Sequence, residues 1–318
     1  MRDAFVRTLE ELAAQDPRLM LLTGDLGFGV LDRFAARFPR QYLNAGVAEQ
    51  NMTGMAAGLA LEGRVVFTYS IANFPILRCY EQIRNDVCYH DANVKVVSIG
   101  GGFSYGALGM SHHATEDLAV MRALPNMTVV APGDLWEAAE ATRALAAAPG
   151  PGYLRLDKSH APATHAPGEA FRLGQARQVR AGEDLTLAAS GGILAEALAA
   201  AERLAILGIS CRVLSVHTLQ PLDRASLERA ARETGGILTI EEHTVTGGLG
   251  GAVAEALLES GHPPRRFLRL GLRAGFSSRV GSQAYLRRAY GLDAEAIVAA
   301  ARQLLAADVN CYVDQAYP

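Results

Sequence analysis

No apolar run in this 318-residue chain approaches the roughly 20 residues needed to cross a bilayer. The first residues, Met1-Arg2-Asp3-Ala4-Phe5, enter an amphipathic helical pattern directly, without the core of a signal peptide, so the cytoplasm is the expected compartment. Charge of one sign is also missing. Thirty Lys and Arg stand against 33 Asp and Glu, a net charge of −3 that leaves no basic stripe for nucleic acid and no polybasic anchor for a membrane surface. The four cysteines, Cys79, Cys88, Cys211 and Cys311, form no Cys-x-x-Cys pair and have no histidines at zinc spacing, which excludes a disulfide scaffold and a structural zinc site and leaves reduced thiols. Asn51-Met52-Thr53 and Asn126-Met127-Thr128 match the glycosylation pattern, but without a secretory signal they carry no weight. Short-period repeats and low-complexity tracts are absent, apart from alanine enrichment.

What is present is a hydrophobic half, enough for two cored domains. Aliphatic runs of strand length occur at 19–23, 64–69, 94–99, 127–131 and 153–156, separated by stretches of helical periodicity or rich in Ala, Leu and Glu. Asp134 stands where an N-cap belongs, before Leu135-Trp136-Glu137, and Pro149-Gly150-Pro151-Gly152 stops the helix that follows. Pro162, Pro167, Gly168, Gly174 and Gly182 then break the pattern as a linker would. The alternation resumes with strands at 185–190, 210–216, 236–241 and 267–271 and helices at 193–207, 223–233 and 250–259. The expectation is α/β: two doubly wound domains with parallel sheets, residues 1–160 and 185–318, joined by a linker at 161–184.

One carboxylate stands out. Ala45-Gly46-Val47-Ala48-Glu49-Gln50 leads into a stretch, 53–60, that carries Gly54, Ala56, Ala57, Gly58 and Ala60. A helix of such small residues packs closely, which would wedge Glu49 into a low-dielectric contact and keep it protonated, able to donate to a ring nitrogen. On residue type alone, a glutamate at the positive end of a helix dipole is the plainer reading. The phrase resembles the glutamate motif of the transketolase family. Tyr80-Glu81-Gln82-Ile83-Arg84-Asn85-Asp86, Leu124-Pro125-Asn126-Met127, Val130-Ala131-Pro132-Gly133-Asp134, Gly271-Leu272, Gly281-Ser282-Gln283 and Gly291-Leu292-Asp293 then follow in that family's order, so the resemblance spans nearly the whole chain.

The resemblance implies a pyrimidine-binding domain followed by a C-terminal domain, as in transketolase and 1-deoxyxylulose-5-phosphate synthase. It implies that Glu49 pairs with the aminopyrimidine ring of thiamine diphosphate and so activates the cofactor for attack on a ketose or 2-oxoacid carbonyl. Phe74 matches a ring that stacks on the pyrimidine, with Tyr69 and Tyr80 as further candidates because Ile71 stands where many relatives carry another phenylalanine. Phe74 and Tyr80 can also be read simply as core. Gly109-Met110-Ser111-His112-His113 resembles the family's Gly-Pro-Thr-His segment, which puts His112 near the substrate's oxygens with His113 as its neighbour; Met110 and Ser111 depart from the pattern. Asp25, at a strand's end, is a candidate cofactor contact or a turn cap. Arg155 and Lys158 match a segment whose first arginine meets the substrate phosphate. Gly247-Gly248-Leu249-Gly250-Gly251 lacks the Gly-x-Gly-x-x-Gly order and reads as a strand-to-helix turn, and Glu241, Glu242, His243 and His217 carry no assigned chemistry.

Full-length members hold a divalent metal, and through it the diphosphate, with a Gly-Asp-Gly motif and a later Asn. The nearest imitation here, Asp25-Leu26-Gly27-Phe28-Gly29, lacks that Asn. The chain therefore resembles the C-terminal half of a split enzyme, with no metal ligand of its own and with Mg²⁺ held by a separate N-terminal diphosphate-binding subunit in a heterotetramer. The favoured activity is transfer of a two-carbon ketol unit between a ketose and an aldose, or formation of a related acyloin bond; the alternatives are the β-subunit of a 2-oxoacid dehydrogenase E1 component and a catalytically silent scaffold or regulatory subunit. Whether the substrate is a phosphorylated sugar, a free sugar or a 2-oxoacid is open.

Overall fold

Short β-branched runs alternating with alanine-rich stretches build two sheets covered by helices. The computed structural model describes residues 1–158, 161, 163–273 and 275–306; Pro162, Cys311 and the rest of 307–318 lie outside the described residues. The first half runs α1 (Arg2–Gln15), β1 (Leu19–Thr23), α2 (Asp32–Arg37), β2 (Tyr42–Asn44), α3 (Glu49–Leu61), β3 (Val65–Ile71), α4 (Tyr80–Gln82) continuing as a π-turn through Cys88, β4 (Val94–Ile99), α5 (Asp117–Arg122), β5 (Thr128–Val130), α6 (Leu135–Ala147) and β6 (Gly152–Leu156). The second half runs β7 (Arg177–Arg180), β8 (Leu185–Ser190), α7 (Leu194–Ile206), β9 (Cys211–Ser215), β10 (Thr218–Gln220), α8 (Arg224–Glu233), β11 (Ile237–Thr244), α9 (Leu249–Glu259), β12 (Phe267–Leu272), α10 (Gln283–Ala289) and α11 (Ala294–Ala306).

Seven strands form the first sheet in the order β10-β5-β6-β4-β3-β1-β2, and five form the second in the order β12-β11-β8-β9-β7. Both sheets are parallel except at one edge, where β10 pairs antiparallel with β5 and β7 antiparallel with β9. Each exception departs from the sequence reading. β7 lies inside the stretch expected to be a linker, and β10 leaves the second half of the chain to extend the first sheet, so the halves share a ladder as well as a surface. The core is shared too: Val96, Leu118 and Met121 belong to the same buried cluster as Leu214, Val216 and Leu249.

Register decides where the site falls. Thr23 pairs with Tyr69, Ile71 with Ile99 and Ile99 with Leu156, so β1, β3, β4 and β6 end along one edge of the sheet. The loops after them all leave from that edge, where open parallel sheets collect their chemistry. Helix ends are tied with care. Asp134 accepts from the Glu137 backbone N–H at 2.8 Å, as an N-cap at α6 should. At the other end of α6, fully buried Lys95 donates to the carbonyls of Ala148 (2.9 Å) and Gly150 (2.5 Å), and burial brings its pKa down to about 8.

Helix α3 buries Met52, Thr53, Ala56, Ala57 and Ala60, spaced at three and four residues, while Glu49 closes the same face at its start. Its glycines do not take part in that contact. A side chain at Gly54 or Gly58 would meet open space, so the close packing expected of the small-residue stretch is carried by its alanines.

Candidate active site

Glu49 is the first residue of α3 and only 3 % exposed. The chain reaches it through Gly46, whose φ of +75° lies in the left-handed region that favours glycine. Asn44 fixes this turn. Its Oδ1 accepts from the backbone N–H of Gly46 (2.9 Å) and of Asp25 (3.0 Å), and its Nδ2 donates to Asp25 Oδ1 (3.0 Å). Asp25 is thus an exposed clasp between the ends of β1 and β2, one residue from Gly24, where an added Cβ would lie 3.4 Å from Glu49 Cγ.

The Glu49 carboxylate meets one cation. Arg78 Nη1 donates to Glu49 Oε2 at 2.8 Å from a side chain that is itself 49 % exposed. The Arg78 guanidinium carbon also lies 5.0 Å from the centroid of the Phe74 ring. Phe74 in turn meets His112 edge-on, with centroids 5.3 Å apart. Asn73 holds the two segments together, donating from Nδ2 to the carbonyls of His113 (2.7 Å) and Ser111 (3.3 Å). Half-buried His112 has Ser111 Oγ 3.1 Å from its Nδ1, and Tyr105 lies beyond it with centroids 6.4 Å apart. The exposed Lys158 ammonium sits 4.3 Å from the Tyr105 centroid. Glu49, Phe74, His112 and Lys158, proposed from four separate motifs, therefore lie in sequence along one edge.

Arg78, Asn73 and Tyr105 were not singled out by the sequence reading. A lone arginine four residues after a phenylalanine carries no signal by itself. It reaches Glu49 only because the segment after β3 folds back in successive tight turns, with Phe74 N–H bonded to the Ile71 carbonyl and Leu77 N–H to that of Asn73, both at 2.9 Å.

Three candidates point elsewhere. His113 is 2 % exposed; its Nδ1 lies 2.8 Å from Ser277 Oγ and 3.0 Å from the Ser277 carbonyl, and its ring packs edge-on against Phe103. It joins the two halves of the chain. Tyr80 donates its hydroxyl to the Val120 carbonyl at 2.9 Å and packs on the core, so it is not part of the pocket beside Phe74. Tyr69, likewise, is buried and stacked on Phe5, with centroids 6.0 Å apart.

Arg155, expected to meet a substrate phosphate, makes its contacts within the protein. Only 5 % exposed, it donates to Asp117 Oδ2 (2.8 Å), the Ala114 carbonyl (2.8 Å) and the Glu242 carbonyl (2.9 Å), so its fork is directed inward at the junction between the halves. Tyr153 donates to the same Asp117 oxygen at 2.6 Å. Glu242 accepts from Gln283 at 2.9 Å and also from Arg287 Nε and the Phe103 backbone. The Gly281-Ser282-Gln283 motif thus closes the junction: Gln283 meets Glu242, and Ser282 caps α10 by accepting from Tyr285 N–H at 3.2 Å. The Gly-rich turn before α9 is filled by the chain's own anion. Glu241 accepts from the backbone N–H groups of Leu249 (2.7 Å) and Gly250 (2.8 Å), and burial pushes its pKa up to about 7. Among the described residues, no group of three or more His, Cys, Asp or Glu side chains is placed to hold a metal, and no helix is long and apolar enough to cross a membrane.

Two mixed α/β sheets joined by a shared ladder define a two-domain α/β protein, and comparison with known proteins makes the class specific. Residues 1–164 match the transketolase pyrimidine-binding domain, and residues 174–297 match the transketolase C-terminal domain. The chain belongs to the transketolase family. It is 40 % identical over 300 residues to a putative transketolase C-terminal section of Methanocaldococcus jannaschii, covering 93 % of each chain. It is 40 % identical to the 6-deoxy-6-sulfo-D-fructose transketolase subunit SqwH of Clostridium sp. (strain MSTE9), covering 96 % of this chain and 94 % of that one. A solved structure described as a split gene transketolase, inactive beta4 tetramer, superposes with a TM-score of 0.87 at 38 % identity, covering 96 % of this chain and 97 % of the other.

Proposed function

We propose that this chain is the C-terminal subunit of a two-component, thiamine diphosphate-dependent transketolase that moves a two-carbon ketol unit between a ketose and an aldose. The observation that carries the reading is the Glu49 carboxyl: buried at the start of α3, met by one side chain, and set beside an aromatic ring and a histidine. That donor set fits an aminopyrimidine, which needs a carboxyl in its plane and a flat apolar partner on its face. The cofactor, when bound, supplies the carbon nucleophile and electron sink. This chain's residues supply the rest. Glu49 holds a proton at the ring nitrogen, Phe74 fixes the ring's tilt, and His112 gives or takes a proton at the substrate's oxygens. Asp25, through Asn44, sets the turn that presents Glu49. Lys158 is a cation for an acidic group at the far end of a ketose.

The need for a partner agrees with the surface. Phe28, Val47, Leu77, Leu108 and Met110, all within three residues of a site residue, are between 48 and 75 % exposed, an apolar fringe that isolated domains seldom leave uncovered. An N-terminal diphosphate-binding subunit carrying Mg²⁺ would cover it and complete a heterotetramer. The relatives named as transketolase subunits and the structure described as an inactive β4 tetramer support that reading. The test is reconstitution. This chain, a diphosphate-binding half, thiamine diphosphate and Mg²⁺ should together release aldehyde from a ketose donor, while either protein alone should not. Full activity of this chain alone, or none in the assembled pair across free and phosphorylated ketoses, would refute it.

A further inference from the structure

Arg78 does more at this site than neutralise a carboxylate. Its guanidinium is a planar, cationic, donor-only group. Its central carbon lies over the Phe74 ring, 5.0 Å from the centroid, while Nη1 donates to Glu49 Oε2 at 2.8 Å. A hydrogen bond to the Glu49 carboxyl and a place over the Phe74 ring are also the two contacts that the proposed function gives to the aminopyrimidine of the cofactor. One flat group cannot share them with another. Because a guanidinium offers no acceptor, the oxygen it meets must accept, whereas pairing with a ring nitrogen requires that the carboxyl donate.

We infer that Arg78 is an internal stand-in for the aminopyrimidine. It occupies the ring's two contacts in the free subunit, keeps the buried Glu49 carboxylate satisfied, and is displaced when the cofactor enters. The inference rests on the proposed function, and the placement of the side chain suits it. Arg78 is half exposed and lies in the turns after β3, whereas Glu49 is buried at a helix start. Leaving the carboxylate without a partner would be unfavourable in a subunit that has yet to meet its cofactor, and the arginine removes that penalty at the expense of competing with the ligand. Arg78 is therefore a positioning residue: it acts on binding through Glu49.

The measurement is calorimetric binding of thiamine diphosphate, with Mg²⁺, to the assembled pair of subunits carrying wild-type Arg78, Arg78→Ala or Arg78→Lys. Thermal melts confirm that each variant folds. The alanine variant is expected to bind at least about fivefold tighter, and the lysine variant, which keeps the charge and loses the planar fork, to fall between. A second titration uses the isolated pyrimidine half of the cofactor, 4-amino-5-hydroxymethyl-2-methylpyrimidine, on the chain alone, with the same order expected and with Glu49→Gln abolishing the gain. Should Arg78→Ala be unstable, the lysine variant alone decides, since any tightening requires displacement. Equal or weaker cofactor binding by both variants would overturn the stand-in while leaving the transketolase reading intact. Failure of the wild-type pair to bind thiamine diphosphate at all would instead overturn the reading on which it rests.

Discussion

Charge is buried in two places in this chain, and they are built differently. At the junction between the halves, Asp117, Arg155, Glu242, Gln283 and Arg287 are tied several times over: Arg155 makes three hydrogen bonds to two segments, and Glu242 accepts from three donors. At the sheet edge, Glu49 has one charged partner, and that partner is half exposed. A network in which each group answers to several others rigidifies a fold and leaves little for a ligand to do. A buried carboxylate with one half-exposed partner is a candidate site. The contrast is sharpest between neighbours: His112 faces the edge, and His113, the next residue, faces the junction.

The largest effect expected from breaking this contrast is on rate. Glu49→Gln in the assembled pair should lower kcat by about 10²–10⁴-fold, the range for a lost acid–base group. Its melting temperature should hold or rise, because a buried charge has been removed along with its tie to one half-exposed arginine. Arg287→Met should do the opposite. It leaves Glu242 buried without its cation, so urea unfolding of the chain should lose roughly 3–5 kcal/mol. A site glutamate whose loss unfolds the protein, or a junction arginine whose loss is silent in stability, would erase the distinction.

The junction also has a pH signature. Glu241 is raised by burial from 4.5 to about 7, so between those values the native state keeps a proton that the unfolded chain has released, and stability falls as pH rises through that window. His243 is lowered by burial from 6.5 to about 4, so the unfolded chain takes up a proton first as pH falls, and stability is lost on acidification from about 6.5 to 4. The two slopes oppose each other where they overlap. Glu241→Gln removes only the first, so relative to wild type the variant should gain about 3 kcal/mol in unfolding free energy between pH 4.5 and 7.5. Urea melts at the two ends of that range measure it; parallel curves would mean that Glu241 titrates normally.

Much of this could be read in the sequence, and what could not has physical causes. The central strands β1, β4 and β8 are aliphatic runs buried on both faces, which mark themselves. β2 and β10 have three residues each, and β10 exists only because β5 offers it an edge from the other half of the chain. The phrases around Glu49, Phe74 and His112 singled out residues that the structure links through Arg78 along one edge. The inward turn of Arg155 was not legible because every residue of β6 is buried, so no alternation of polar and apolar positions shows which way its side chain turns. Arg78 was missed because its importance comes from a fold-back that no single residue announces.

The smallest effect separates two residues of that same fold-back. Arg78 reaches Glu49, while Tyr80, two positions on, turns its hydroxyl to the Val120 carbonyl near the end of α5. A terminal helix carbonyl has no partner within its own helix, so the phenol meets a need that the fold creates. Tyr80→Phe keeps the ring and removes only that donor, and the net value of such a bond is about 1 kcal/mol. The variant should melt a few degrees lower with kcat and KM for the ketose donor unchanged. A fall in kcat at undiminished stability would move Tyr80 from the core into the pocket beside Phe74, and the edge would then extend one turn further along the chain than its hydrogen bonds indicate.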